Sequence, residues 1–472
     1  MRRTGAGVLG LVLAVAGCSV DDEPAPAPSS SSAPAFAPGA EGIGDPYFPK
    51  YGNGGYDVAG YDLKVRYDPR TDQLTGTATI TATAKQDLSK FNLDLSKLAA
   101  RNVTVDGVRA SSSAAGTELT ITPATGIVNG RAFTTVIEYG GEPSQFTNSV
   151  LGDGGWLENP DGAVALGQPE SASTWFPVND HPSDKATFKL EMTVPDGVEA
   201  ISNGVPGPKR TTGGWTTWSW SESSPLASYL AMVVIGQYRV TTTTHDGKPM
   251  VLAVDESLPA DGPAARSLAK TGEITDFLAT KFGPYPFDAN GGVAVADRSI
   301  GYALETQSRP VYGPAFFSGG PNESVVAHEL AHQWFGDSVA LEKWQDIWLN
   351  EGFATYAEWL WDEHQGVQTV EQSFDSVYNS YAWEQPGQAG NPGAPRIFGQ
   401  AVYQRGGMTV YALRKTIGDA AFDQLLQRWT SEHKNGNAST DDLIAMAEDI
   451  SGKQLDALFQ SWLFTDGKPA KP

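Results

Sequence analysis

Between residues 45 and 245 apolar and polar positions alternate in short runs. Tyr61-Asp62-Leu63-Lys64-Val65-Arg66-Tyr67 puts every second side chain on one face, the period of a half-buried strand. Leu74 to Thr83 is rich in threonine with Ile80 at its centre, and Thr117 to Thr122 and Phe133 to Tyr139 read as further short strands. Asp153-Gly154 and Asn203-Gly204 supply turns between them. No convincing run of helical period precedes residue 260. After His245 the period changes. Ala264 to Phe282 carries apolar residues at helical spacing and stops at Gly283-Pro284. Asn322 to Phe335 is a second helix, with Asn322 as its N-cap and Gly336 as its stop, and Asp346 to His364 is a third, ended by Gly366. Shorter helices follow from Tyr403 to about Phe464, and no internal repeat is present. The pattern predicts an α+β chain: an antiparallel β domain over 45–245 and a mainly helical domain over 246–472.

Composition adds two constraints. The chain has 472 residues, 40% of them hydrophobic and 10% aromatic, which suffices for large packed cores. Lys and Arg number 33 against 55 Asp and Glu, and the net charge of −22 argues against a nucleic-acid partner. A single cysteine, Cys18, excludes an intramolecular disulfide. Its setting is informative. Arg2 and Arg3 precede the apolar run Val8 to Ala16, which is too short for a spanning helix of ~20 residues. The run closes with Val15-Ala16-Gly17-Cys18, which resembles a bacterial lipobox. That resemblance implies a signal peptide over 1–17, a lipidated Cys18 as the mature N-terminus, and an extracytoplasmic protein on a membrane lipid anchor. Residues 18–44 then read as a Pro/Ser/Ala-rich tether, able to reach ~60 Å when extended.

The chemistry centres on His328-Glu329-Leu330-Ala331-His332. Histidines four apart on a helix project from one face, one turn from each other, and two imidazoles so placed can bind one zinc ion. Glu329 sits beside them, placed to take a proton from a metal-bound water. The alternative is a pair of surface histidines flanking an acid. Glu351, nineteen residues after His332 in Trp348-Leu349-Asn350-Glu351-Gly352-Phe353-Ala354, is the candidate third ligand; otherwise it is a helix-start carboxylate favoured by the macrodipole.

These residues carry a resemblance. His-Glu-x-x-His, eighteen residues, then Glu in Asn-Glu-Gly-Phe-Ala is similar to the M1 family of zinc aminopeptidases, the gluzincins. Tyr61-Asp62-Leu63, the segment Trp175 to Pro182 with Lys185-Ala186-Thr187-Phe188, and Ser461-Trp462-Leu463 extend the resemblance over roughly 45–470. It implies an N-terminal β-saddle domain followed by a thermolysin-like catalytic domain, with one zinc ion on His328, His332 and Glu351. It implies further roles one residue at a time. Glu305, in Tyr302-Ala303-Leu304-Glu305-Thr306 and 23 residues before His328, stands where the family's Gly-x-Met-Glu-Asn glutamate holds the substrate's α-amine, although the glycine has become Tyr302 or has slipped to Gly301, with Leu304 for the methionine and Thr306 for the asparagine. Gln168-Pro169-Glu170 matches a second anchor, with Glu170 on the amine and Gln168 on the first residue. Tyr403, in Tyr403-Gln404-Arg405-Gly406, matches the tyrosine that stabilises the oxyanion, with Tyr411 and Tyr356 as weaker candidates. Glu358, seven residues after Glu351, is a candidate to orient a ligand.

The family resemblance thus implies a metallo-aminopeptidase releasing N-terminal residues from peptides with a free N-terminus by attack of zinc-activated water; the lipobox places it outside the cell with a membrane as partner, the acidic charge argues for no nucleic acid, and a monomer is expected. The chain ends soon after the catalytic pattern, so it reads as a short form lacking the helical C-terminal domain of longer members. Two other readings compete: a thermolysin-like zinc endopeptidase, and a surface-binding lipoprotein that kept the fold without catalysis.

Overall fold

The strand Tyr56–Asp68 shows how the alternating pattern is used. Tyr61, Leu63, Val65 and Tyr67 are buried while Asp62, Lys64 and Arg66 face solvent. The strand also extends back to Tyr56, where the buried residues are Tyr56 and Val58, on the other parity. A register shift between Val58 and Gly60 resets the face, the usual effect of a bulge. In the computed structural model, which describes residues 13, 35–148, 151–385 and 387–472, this strand lies at the centre of the largest sheet. The order across it is Val205–Pro206, Trp215–Ala227, Lys185–Pro195, Tyr56–Asp68, Gln73–Ala84, Ala132–Gly141, Ala99–Val105 and Val108–Arg109, with Arg210–Thr212 also on Trp215–Ala227. The central pairing departs from the antiparallel expectation. Lys185–Pro195 runs parallel to Tyr56–Asp68, with Leu190 opposite Leu63, because the chain makes a long excursion before returning. Ala186, Phe188, Leu190, Met192 and Val194 of the returning strand all point into the core.

A second sheet, in the order Gln145–Asn148, Gly152–Asn159, Gly162–Leu166, Val233–Gly236 and Glu199–Ser202, packs against the first layer. Its Gly162–Leu166 strand is buried throughout and leads directly into Gly167-Gln168. The helical half has a sheet of its own, ordered Tyr238–His245, Lys248–Asp255, Asn290–Ala294, Val311–Tyr312 and Ala303–Leu304. The change of texture near His245 therefore falls at a hairpin inside this sheet, not at a linker.

The signal segment, Cys18 and most of the expected tether lie outside the described residues. The end of that tether is folded. Ala37–Pro38 forms a short parallel strand on Leu88–Asp94, held by the Ala37 N–H on the Asp87 carbonyl (2.9 Å) and the Gly39 N–H on the Lys90 carbonyl (2.8 Å). Pro38 falls between the two donors, so its missing N–H costs nothing. Further on, the buried Asp45 carboxylate accepts from the N–H groups of Tyr47 (2.7 Å) and Phe48 (2.9 Å) and from Trp344 in the helical half (2.8 Å). Among the described residues no helix is long and apolar enough to cross a membrane.

The helices follow the pattern with local differences. The run expected over 264–282 is two helices, Pro263–Leu268 and Thr271–Phe282; between them the Thr271 hydroxyl takes the Leu268 carbonyl at 2.7 Å. The motif helix is Glu323–Ala331, with His332 as its C-cap and a tight turn continuing to Phe335. The next helix, Trp348–His364, is preceded by a 3₁₀ turn at Trp344–Asp346. The segment at Tyr403 opens as a π-type turn, Ala401–Arg405, before the helix Gly406–Ile417.

One contact sets the spacing of these helices. A Cβ on Gly352 would lie 2.8 Å from the Gly406 carbonyl carbon, closer than side chains tolerate. The two backbones touch here because neither residue has a side chain, and the contact brings Tyr403, three residues before Gly406, towards Glu351, the neighbour of Gly352. Gly352→Ala is therefore expected to destabilise the fold by about 1–3 kcal/mol in urea unfolding and to weaken zinc retention on dialysis. Unchanged stability together with full zinc content would show that the contact does not set the spacing.

Candidate active site

Asn322 caps the motif helix, its side-chain oxygen accepting the Val325 N–H at 3.1 Å. One turn on, His328, Glu329 and His332 line a cavity of about 390 Å³, which Glu351, Glu358, Glu305, Gln168 and Tyr403 also border. His328 Nε2 and His332 Nε2 lie 3.2 and 3.3 Å from the same oxygen of Glu351. The far ring nitrogens are fixed from behind. His328 Nδ1 donates to Glu358 at 2.6 Å, and His332 Nδ1 donates to the Phe335 carbonyl at 3.0 Å. A carboxylate and a carbonyl accept here, so each Nδ1 carries a proton and each Nε2 is the nitrogen left to face Glu351 and, once the proton it shares there is displaced, a metal ion.

The donor set fits zinc. One atom from each of His328, His332 and Glu351 falls within 4.8 Å of the others, and all three residues are essentially buried. Two imidazoles and a carboxylate, open on the cavity side, are the donors of a catalytic zinc site. Without a cation, protons bind the cluster together. Burial opposes the charge on Glu351, but the two imidazoles outweigh it and hold the carboxyl at about 2. Burial likewise favours neutral His332, yet Glu351 and Glu305 lift it to about 9. A bound metal ion takes the place of those protons.

Glu329 is 5% exposed, and burial, opposed by the two histidines, pushes its carboxyl up to about 8. Tyr403 stacks over His328 with ring centroids 6.0 Å apart. Burial and the neighbouring Glu351 carboxylate keep its phenol well above the ordinary range, so it remains a donor. Of the other tyrosines weighed for this place, Tyr356 accepts from Arg414 at 2.9 Å and Tyr411 stacks on Phe374; neither borders the cavity.

Glu305 lies on the opposite wall, with its carboxylate held from the β half of the chain. The Tyr229 hydroxyl donates to Oε1 at 2.9 Å and the Gln168 amide at 3.3 Å. The Glu305 backbone carbonyl accepts from the Gln333 side chain at 3.0 Å, while the Gln333 side-chain oxygen takes the Ser308 N–H at 2.6 Å. Gln333 follows His332 directly, so it rivets the Glu305 strand to the motif helix. Sequence reasoning missed both Tyr229 and Gln333. The adjacency of Gln333 to the motif was a usable signal; Tyr229 offered none. Glu170 lies in the same segment as Gln168 but does not border the cavity. Its carboxylate accepts the Tyr51 hydroxyl at 2.7 Å, and burial with nearby Asp180 pushes it up to about 7. Trp334, Trp344, Trp348 and Trp361 are fully buried core residues, and none of the tryptophans near the motif borders the cavity.

Comparison with known proteins agrees with this geometry. The peptidase M1 N-terminal domain profile matches residues 58–230 and the peptidase family M1 domain profile matches residues 268–462. Aminopeptidase M1 of Arabidopsis thaliana is 30% identical over 336 residues, 66% of this chain and 38% of that protein. Glutamyl aminopeptidase of Sus scrofa is 27% identical over 333 residues, 64% of this chain and 34% of its own length. The chain thus spans little more than a third of these relatives. A crystal structure of an M1 zinc metallopeptidase from Deinococcus radiodurans superposes with a TM-score of 0.84 at 29% identity, covering 91% of this chain and 98% of that one. A mutant of the same enzyme has been solved with a Tyr-Ser-Ala substrate bound. With both halves matched and a His-His-Glu group at the centre, the chain belongs to the M1 family of zinc metallopeptidases.

Proposed function

We propose that the protein is a zinc aminopeptidase that removes the first residue from peptides with a free N-terminus. The observation that carries this is the closeness of Glu305 to the metal-binding group: ligating atoms of Glu305, Glu329 and His332 lie within 4.8 Å of one another. In a peptide the α-nitrogen and the first carbonyl carbon are only about 2.5 Å apart. A carboxylate so near the histidines has room for one residue between an ammonium group and the scissile bond. The tripeptide seen in the Deinococcus relative is a substrate of the same kind.

Zinc on His328, His332 and Glu351 would supply Lewis acidity, polarising the scissile carbonyl and making water easier to deprotonate. The remaining work falls to the chain. Glu305, aligned by Tyr229 and Gln168, receives the α-ammonium as a charge-assisted pair. Glu329, beside both histidines, takes the proton from the attacking water and returns it to the departing amine. Tyr403, neutral in its buried setting, donates to the carbonyl oxygen as negative charge develops there. Glu358 holds the His328 ring in one tautomer throughout.

We also propose that the protein works outside the cytoplasm on a lipid at Cys18. The support is the charged, apolar and small-residue order of the first eighteen positions.

Four outcomes test these roles. Glu329→Gln is expected to retain one zinc per chain by metal analysis and to lose turnover by about 10²–10⁴-fold; near-normal turnover would remove Glu329 from the mechanism. An aminoacyl substrate should be cleaved while its N-acetylated form is not, and Tyr229→Phe should raise KM by about 10-fold, the loss of one hydrogen bond to a charged group, with kcat less affected. Equal rates on free and acetylated substrates would instead establish an endopeptidase. Expressed with its full leader, the protein should partition into detergent and Cys18→Ser should move it to the aqueous phase; no difference in partitioning would exclude the anchor.

A further inference from the structure

Asn203-Gly204 reads in sequence as a turn, and a turn asparagine ordinarily bonds to its own neighbours. In the structure the backbone demand of the turn is met by Gly204: its φ is +76°, and a Cβ there would lie 2.2 Å from the Ser221 carbonyl oxygen. The Asn203 side chain, fully buried, reaches across the seam instead. Its Oδ1 accepts the Met232 N–H at 2.8 Å, and its Nδ2 donates to the Leu230 carbonyl and to the Gln307 carbonyl, both at 2.9 Å. A donor opposite the oxygen and two acceptors opposite the nitrogen allow the amide only this orientation. These partners flank Glu305. Leu230 follows Tyr229, whose hydroxyl donates to Glu305 at 2.9 Å, and Gln307 lies two residues past Glu305. Neighbouring bonds cross the seam without touching the Ser228–Leu230 turn that carries Tyr229: the Gly204 N–H goes to the Ser308 hydroxyl at 2.7 Å, and the Arg309 guanidinium to the Gly204 carbonyl at 3.0 Å.

We propose that Asn203 is a positioning residue for the substrate's α-amine: it sets the separation between the Tyr229 hydroxyl and the Glu305 carboxylate, and so the alignment of the anchor. The role rests on the aminopeptidase reading and deepens it. Two N–H groups of one planar amide point in fixed, diverging directions, so the segment that carries the donor and the segment that carries the carboxylate are held at a set distance. Without that amide the Leu230 and Gln307 carbonyls lose a donor where water cannot replace it, and the two segments are no longer tied. A small displacement at such a contact is felt strongly in binding and orientation. The metal-binding group stands on other elements, the helices Glu323–Ala331 and Trp348–His364, and has no hydrogen bond to Asn203. Loss of the amide therefore acts on the affinity for the free N-terminus and leaves metal binding intact.

The test is a double-mutant cycle on the zinc-loaded full chain, read with a leucyl substrate and its N-acetylated form. Asn203→Asp keeps the oxygen that faces Met232 and removes the amide donors. It should retain zinc and raise KM for the free substrate by about 10-fold, the loss of one hydrogen bond to a charged group, with kcat changed by less than about threefold. In a Tyr229→Phe background the same replacement should raise KM by less than about twofold, because the bond it aligns is already gone. A purely structural asparagine would act equally in both backgrounds. An equal factor in both, or an unchanged KM, overturns the proposal. If the Asp variant does not fold, Asn203→Ser, smaller and still a donor, is read in the same cycle; failure of both to fold would make Asn203 a folding residue and overturn the proposal as well. The N-acetylated substrate keeps the two levels apart. If the unmutated enzyme cleaves it as fast as the free one, the aminopeptidase reading falls and the role of Asn203 with it. If it is refused and the cycle shows no coupling, only the role of Asn203 falls.

Discussion

A carboxylate buried to 2% exposure between two imidazoles is the feature on which the rest of this protein turns. Glu351 could not stay ionised there alone, since burial works against its charge. It does so only because His328 and His332 converge on one of its oxygens. Removing any one of the three would leave an uncompensated group in a dry place, which costs far more than an intact pair gains. The surroundings serve this arrangement. Glu358 and the Phe335 carbonyl fix the ring tautomers, and the side-chain-free contact of Gly352 with Gly406 lets a second backbone segment close in with Tyr403.

The β half is part of the site as well as its support. Gln168 and Tyr229 both come from it, and both are spent on Glu305. Polar contacts cross the seam between the halves. Lys185 extends its ammonium to the carbonyls of Asp337 (2.7 Å), Ser338 (2.8 Å) and Gly436 (3.3 Å), so a strand of the large sheet grips the turn that follows the motif helix. Asn203 and Gly204 bond to Gln307 and Ser308, just past Glu305. The β half therefore fixes both Glu305, the proposed anchor for an amine, and the turn beside the histidines, and a shift between halves would alter the distance on which the proposed exopeptidase geometry depends.

The parts of this arrangement visible in sequence were those written at short range. Histidines four apart, a capping asparagine and a glycine stop are local, and the helix they predict forms with only its last turn altered. Alternation from Tyr61 to Tyr67 gave a strand, but the reset of its face at the Val58–Gly60 bulge depends on the neighbouring strand and has no local signature. The parallel pairing with Lys185–Pro195 depends on what lies between. Gly352 and Gly406 look like two ordinary helix glycines until their backbones are seen to touch. Tyr229 was silent for the same reason: its partner is 76 residues away. Low complexity was misleading at Ala37–Pro38, where the alternate N–H groups needed for pairing survive among prolines.

The proposed choice of bond follows from a distance. The Glu305 carboxylate is held by the Tyr229 hydroxyl and the Gln168 amide of the β half and its backbone carbonyl by Gln333 of the helical half, while the histidines are fixed by their helix. A gap set in this way depends on groups that cannot move without breaking a buried network. The rest of the lining differs in kind: Leu151, Phe316 and Val325 border the same cavity and have no part in the proposed proton transfer. Those wall residues can change by substitution while the anchor and the metal-binding group stay as they are, and the division follows from geometry: the ruler is polar and over-determined, the wall apolar and replaceable.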